Sequence, residues 1–187
     1  MIKNKFILLF ILFLIVPLVG QSQERNFIVY PIKGYIFLWP FPTYWINNQV
    51  SLQKADQPPL FYLSGYSINN SIAHFGIGFG DDISSISMSG YSEKVIAQFK
   101  RNAGNDYTAE NVTWNIYRKD SVPMVIFKLS SNNRTMFQYC AIMENVMRNY
   151  IIAFIQLNSN SKENEKYIND FKIFLETVVV REGILDL

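Results

Sequence analysis

One cysteine and one histidine occur in a chain of 187 residues, and these two scarcities exclude more chemistry than any motif asserts. A lone Cys140 closes no intrachain disulfide, and with a single imidazole neither a Cys-and-His zinc set nor a His-rich metal site can be assembled. No metal and no other cofactor is expected. Basic clusters are also lacking, so the chain carries no electrostatic footprint for nucleic acid or for an anionic lipid surface. The glycine-rich run Gly76-Ile77-Gly78-Phe79-Gly80 has neither the spacing of a dinucleotide fingerprint nor the Gly-Lys-Ser/Thr ending of a P-loop.

The remaining reactive groups are sparse. Cys140 falls in an apolar strand pattern with no His, Lys or Arg beside it to stabilise a thiolate, and reads as a buried, inert thiol. His74 has Ser71 and Ser67 nearby in sequence, but no Gly-x-Ser-x-Gly elbow is present. A strand histidine of this kind serves structure more often than catalysis. Asp81-Asp82 and Asp106 with Glu110 are the dense carboxylate neighbourhoods, and both sit in sequence that reads as loop. Three formal glycosylation sequons begin at Asn69, Asn111 and Asn133.

Long apolar runs are missing except at the start. Lys3 and Lys5 precede an apolar stretch from Phe6 to Val19, and Gly20-Gln21-Ser22 follows with small residues at the spacing of a cleavage site. That apolar stretch is 14 residues, short of the roughly 20 that span a bilayer core. Residues 1–22 therefore read as a secretory signal peptide, with retention as an uncleaved anchor the alternative, and 23–187 as a single α+β domain. Seventeen basic residues stand against fifteen acidic, and loss of Lys3 and Lys5 leaves the two equal. The expected location is the periplasm or the extracellular space, with the membrane met only through the signal peptide.

The segment from Pro123 to Leu157 carries the strongest pattern. Val125, Phe127 and Leu129 share one face of a strand, and after a polar turn at Ser131-Asn132-Asn133-Arg134 the positions Phe137, Tyr139, Ala141 and Met143 share one face of the next. Tyr150 to Leu157 is apolar on both faces, as in the middle of a covered sheet; the turn before it is centred on Glu144-Asn145 or on Arg148-Asn149. The period then changes to helical, with Tyr167, Ile168, Phe171, Phe174, Leu175 and Val178 on one stripe, Asp170 away from it, and Asn160 with Glu163 as a capping box.

Upstream, Asn26 to Ile32 and Tyr35 to Trp39 read as extended segments separated by Gly34, the second stopped by Pro40 and Pro42. Gln49 to Pro59 reads as a loop, and Leu60 to Ile68 with Ala73 to Gly80 as a hairpin about Asn69-Asn70-Ser71. In its second arm His74, Gly76, Gly78 and Gly80 share a face almost free of side chains, which invites close approach by a ligand, or by a ring or helix of the same chain. Asp81 to Ser89 reads as loop. A helix is expected from Ser89 or Ser92 to Ala103 with Gly104 as its stop, then a strand alternation over Val112 to Tyr117, and a tail after Glu182.

An early strand running into Pro42-Thr43-Tyr44-Trp45, a helix near Ser89, the meander to Leu157 and a last helix ending Phe171 to Leu175 together resemble the PsbP-like superfamily. The segment after Phe79 is polar and the usual glycine before the meander is not evident, which departs from that pattern. The resemblance implies an antiparallel β-sheet flanked by helices on both faces, an α/β/α sandwich, and no common active site; its members include accessory subunits of large complexes and envelope proteins.

Three functions are weighed on this basis. The first is an exported, non-catalytic accessory or adaptor protein that docks on another envelope protein, with Trp39, Tyr44, Trp45, His74, Gly76 and Gly78 as binding candidates. The second is a small-ligand module with a pocket between sheet and helix lined by Trp39, Trp45 and Trp114, and the third a hydrolase using His74. A concave apolar pocket with convergent polar groups points to the second, and an exposed apolar patch to the first.

Overall fold

The structure is a computed structural model and describes residues 25–30, 35–40, 42, 44–47, 60–66, 71–103, 107–131, 135–144 and 148–182. The signal peptide, Gly34, the loop Gln49 to Pro59, the turns at Asn69-Asn70 and Asn132 to Arg134, Gly104, Asp106 and the tail after Glu182 lie outside the described residues. Strands β1 (Arg25–Tyr30) and β2 (Tyr35–Pro40) come first, then β3 (Trp45–Asn47), β4 (Leu60–Leu63) and β5 (Ala73–Asp82). Helix α1 (Met88–Ala103) leads to β6 (Tyr107–Asn111), β7 (Met124–Ser131), β8 (Met136–Glu144) and β9 (Asn149–Asn158). Helix α2 (Asn164–Thr177) and β10 (Val179–Glu182) close the chain.

Seven strands form one antiparallel sheet in the order β3-β4-β5-β9-β8-β7-β6, so β9, the strand apolar on both faces, stands at its centre. Alternation along β7, β8 and β9 divides their side chains between two cores. Met143, Ile151, Ala153, Ile155 and Leu157 join the α2 side, and Phe127, Leu129, Cys140, Ile142 and Tyr150 the α1 side. The helices thus cover opposite faces, α1 over β6, β7 and β8 and α2 against β9 and β2. β8 ends at Glu144 and β9 begins at Asn149, with Arg148 left-handed at φ 64; residues 145–147, and with them the centre of this turn, lie outside the described residues.

Several expectations change. β1 and β2 form a separate three-stranded sheet that the C-terminal β10 completes, pairing Val179 with Leu38 and Glu182 with Tyr35. Four residues are too few to show a period, so this strand is absent from the sequence reading. The strand beside β7 is Tyr107–Asn111, polar and mostly exposed, and not Val112 to Tyr117. The alternation at Val112, Trp114 and Ile116 is real, since those side chains are half-buried and their neighbours exposed. It arises because the segment, after one bond from the Val112 N–H to the Ile126 carbonyl, lies against the sheet without continuing its ladder. β5 runs on through an irregularity to Asp82, beyond the hairpin arm expected to end at Gly80. Ser87 opens α1, its hydroxyl accepting the Gly90 N–H at 3.2 Å. The capping box at Asn160 is not formed: Glu163 stands at the N-cap without a side-chain bond to the helix backbone, and its carboxylate accepts the Tyr167 hydroxyl at 2.6 Å.

The glycine face of β5 is filled from within. A Cβ on Gly76 would overlap the Phe154 ring, and one on Gly80 the Tyr91 ring of α1. Tyr91 in turn stacks on Tyr150 at 4.8 Å and 13°. Alanine for glycine in a strand ordinarily stabilises; here Gly76→Ala should cost about 1–3 kcal/mol through overpacking. Adding Phe154→Leu should recover part of that loss in urea denaturation, and a Gly76→Ala chain as stable as the wild type would show that the ring does not need the space.

Candidate functional site

Pro42 to Trp45 closes a turn through the Trp45 N–H to the Pro42 carbonyl at 3.0 Å, which directs both aromatic side chains at α2. The Tyr44 hydroxyl donates to Asp170 Oδ2 at 2.5 Å, and the Trp45 indole N–H donates to the same oxygen at 3.0 Å. Lys166 lies 4.0 Å from the centre of the Tyr44 ring. Trp45 is 4% exposed and meets Tyr167 edge-on at 5.7 Å and Phe75 at 6.0 Å. Asp170 is therefore half-buried beside the turn, and not on the outer side of the helix as its place in the period predicts. Burial first, and the Asp170 carboxylate second, push the Tyr44 phenol well above its ordinary value of 10.0. Trp39 lies in β2 opposite Asn26, and its side chain is outside the described residues.

His74 stands between Tyr62 of β4 and Gln156 of β9 in the register, on the α1 side of the sheet. Gly76 is buried under Phe154, and Gly78 is half-buried. Ser71, one of the two serines near His74 in sequence, donates its hydroxyl to the Ala73 carbonyl at 2.6 Å and accepts the Leu63 N–H at 3.3 Å; Ser67 is outside the described residues. Asp82 caps a turn by accepting the Ser84 hydroxyl and N–H, which hold its carboxyl below the usual carboxylate range. Among the described residues no group of three or more His, Cys, Asp or Glu could hold a metal ion, and no helix is long and apolar enough to cross a membrane.

A groove of about 980 Å³ opens elsewhere, between the first turns of α1 and the segment from Val112 to Val122. Ser89, Ser92 and Glu93 line one side, Thr113, Ile116 and Tyr117 the other, and Met124 to Ile126 lie between. Trp114 also borders it while packing on Tyr139 at 4.8 Å and Phe171 at 6.2 Å; Trp45 does not line it. Tyr117 is 78% exposed at this place. Arg118 fixes the segment: its guanidinium makes two bonds to Asp120 and donates to the Leu175 and Val178 carbonyls, satisfying the C-terminal end of α2. The same guanidinium holds the Asp120 carboxyl below the usual carboxylate range. Neither Arg118 nor Asp170 is a site candidate in the sequence analysis, which sets Asp170 on the polar side of the helix; a carboxylate three residues from Tyr167 and four from Lys166 was the available sign for it.

No family model and no curated protein matches the chain. Among solved structures, the solution structure of cyanobacterial PsbP (CyanoP) from Synechocystis sp. PCC 6803 superposes with a TM-score of 0.53. It is 12% identical, over 83% of this chain and 92% of that one. The fold is PsbP-like. The Saccharomyces cerevisiae Ran-binding protein Mog1p gives a TM-score of 0.48 at 8% identity, over 80% of this chain and 85% of that one. In this PsbP-like fold the two stretches that carried the resemblance in sequence, the Pro42 to Trp45 turn and the Phe171 to Leu175 helix end, pack into one core around Phe75, which lies 5.4 Å from Phe171.

The neutral phenol is the form that Tyr44 keeps when folded. Its contribution is fully present below the ordinary value of 10.0 and is lost as pH rises through the raised one. Asp170→Ala should cost about 1.5–3 kcal/mol at neutral pH and bring Tyr44 ionisation back toward its ordinary range, read by ultraviolet titration; an unchanged stability would mean that the carboxylate does not hold the turn. The Cys140 thiol is 0% exposed and burial pushes it up to about 12. Iodoacetamide at mildly alkaline pH should therefore label it only after denaturation, and rapid labelling of the native chain would contradict its burial.

Proposed function

We propose that this chain is an exported, non-catalytic accessory protein of the cell envelope that acts by binding another protein. The open groove beside Tyr117 carries the reading. It combines an exposed aromatic residue with a rim of serine and threonine hydroxyls, the mixture of anchor and polar edge that protein contacts use. The groups that could do chemistry have work inside the fold: the Ser71 hydroxyl goes to backbone, Asp170 to the aromatic turn, and Arg118 to Asp120 and the end of α2. Export rests on the charged, apolar and small-residue pattern of residues 1–22.

In this reading Tyr44 and Trp45 set the shape of one end of the sheet, and Gly76 makes room for Phe154. His74 and Gly78, half-buried on the α1 side, are a second place where a partner could touch; Trp39 keeps its standing as a candidate from sequence. The alternative is a small-ligand module, favoured by the size of the groove and by the presence of Trp114 on its border.

A tagged full-length chain expressed in its source cells should fractionate with the periplasm or medium and retain a stoichiometric protein partner. Tyr117→Ala should lower partner retention by about tenfold or more without changing the fold. A cytoplasmic location overturns export, and a small molecule recovered in place of a protein selects the alternative.

A further inference from the structure

β7 extends farther at its N-terminal end than the strand that pairs with it. β6 accompanies it from Tyr107 opposite Ser131 to Asn111 opposite Phe127, and one more bond follows, from the Val112 N–H to the Ile126 carbonyl at 2.9 Å. Beyond it, Met124 and Val125 are matched only with Met143 and Ile142 of β8, on the other side. In an antiparallel ladder the N–H and C=O of one residue point the same way and alternate along the strand. Because the Ile126 carbonyl points toward β6, Met124 two residues earlier also turns its N–H and C=O outward, along the groove.

The chain contains the residues that could have covered this edge and holds them away from it. Continuing the register would set Thr113 against Val125 and Trp114 against Met124. Instead the Ile116 N–H bonds the Trp114 carbonyl at 3.0 Å, the Trp114 ring packs on Phe171, Arg118 is tied to the end of α2, and Ser121 turns left-handed at φ 51 on the way back to β7. The segment crosses toward α2, and the edge of β7 at Met124 is left in the groove with α1 on its far side.

We propose that this groove takes an extended peptide segment of the partner protein, its backbone paired with Met124 as a continuation of β6. The proposal deepens the protein-binding reading above and rests on it. The outward-turned N–H and C=O of Met124, next to the bonded Ile126, are matched by another extended backbone, which is the chemistry of β-augmentation. Alternate side chains of such a strand would meet α1 and the Thr113 to Tyr117 wall in turn. Glu93 is exposed on the α1 side, whereas the charge of Arg118 is already met by Asp120, so the favoured segment carries a lysine or arginine among apolar residues.

The test uses the full-length chain and a displayed library of random linear peptides, with hydrogen–deuterium exchange as the structural readout. Selected peptides should be apolar with a basic residue, should protect the Met124 amide, and should lose binding when their own amides are methylated at alternate positions. Ser89→Trp, which fills the groove, and Glu93→Lys, which changes only an exposed charge, should each weaken binding by about tenfold or more. Recovery of no peptide, protection at another place, or binding indifferent to both variants overturns the strand site. Should the native partner still be retained by Ser89→Trp, the protein-binding reading stands without this site; should neither peptide nor partner bind, both fall.

Discussion

Phe75 is where the two halves of the molecule are joined. Its ring meets Phe174 edge-on at 4.9 Å and Phe171 at 5.4 Å, with Trp45 at 6.0 Å on another side. These four rings come from three parts of the chain: the aromatic turn, the glycine-bearing strand and the last helix. Burying a phenylalanine stabilises by roughly 1.5–3 kcal/mol, and edge-to-face geometry adds to it. Through this cluster α2 is seated on the sheet, and β10, which follows it after one residue, is carried with it. The polar contacts around it orient what the rings attract: Asp170 fixes the turn at the middle of the helix and Arg118 the carbonyls at its C-terminal end.

The two faces of the large sheet are built differently. On the α2 side, rings from strands and helix interlock, and the surface is thick. On the α1 side, glycines at Gly76 and Gly80 thin the strand, and Phe154 and Tyr91 occupy the space. Tyr91 reaches across from the helix to stack on Tyr150, whose hydroxyl donates to the Ile86 carbonyl at 2.8 Å. The first turn of α1 is thereby keyed to β5 and β9. This seating holds the α1 side of the groove at a fixed distance from β7 while the other side is anchored to α2.

What could be read in advance follows from where burial is two-sided or periodic. β7, β8 and β9 alternate because one or both faces are covered, and both helices show their stripes for the same reason. β6 has no period because four of its five residues are exposed; its place is decided by backbone pairing with β7, which leaves no mark on side-chain choice. Val112 to Tyr117 shows the converse, since burying every second side chain is satisfied by lying across a sheet as well as by joining it. The bond between Trp45 and Asp170 spans 125 positions, and no local pattern announces a contact of that kind. Of the candidate site, the aromatic turn and the glycine strip were visible as unusual sequence, but their fillers were not. The groove is formed by a segment leaving a ladder, a property of tertiary placement alone.

The small sheet has a consequence for how the molecule is assembled. β1 and β2 are neighbours in sequence, whereas the strand that covers the other side of β2 is Val179–Glu182, which follows only after all the strands of the large sheet and both helices. Until those residues arrive, β2 presents a bare row of amides and carbonyls, the kind of edge on which chains pair wrongly with one another. Contacts so distant in sequence also form slowly. Val178 alone separates α2 from β10, so docking of the helix on Phe75 delivers the covering strand to its place, and closure of the exposed edge is coupled to completion of the core.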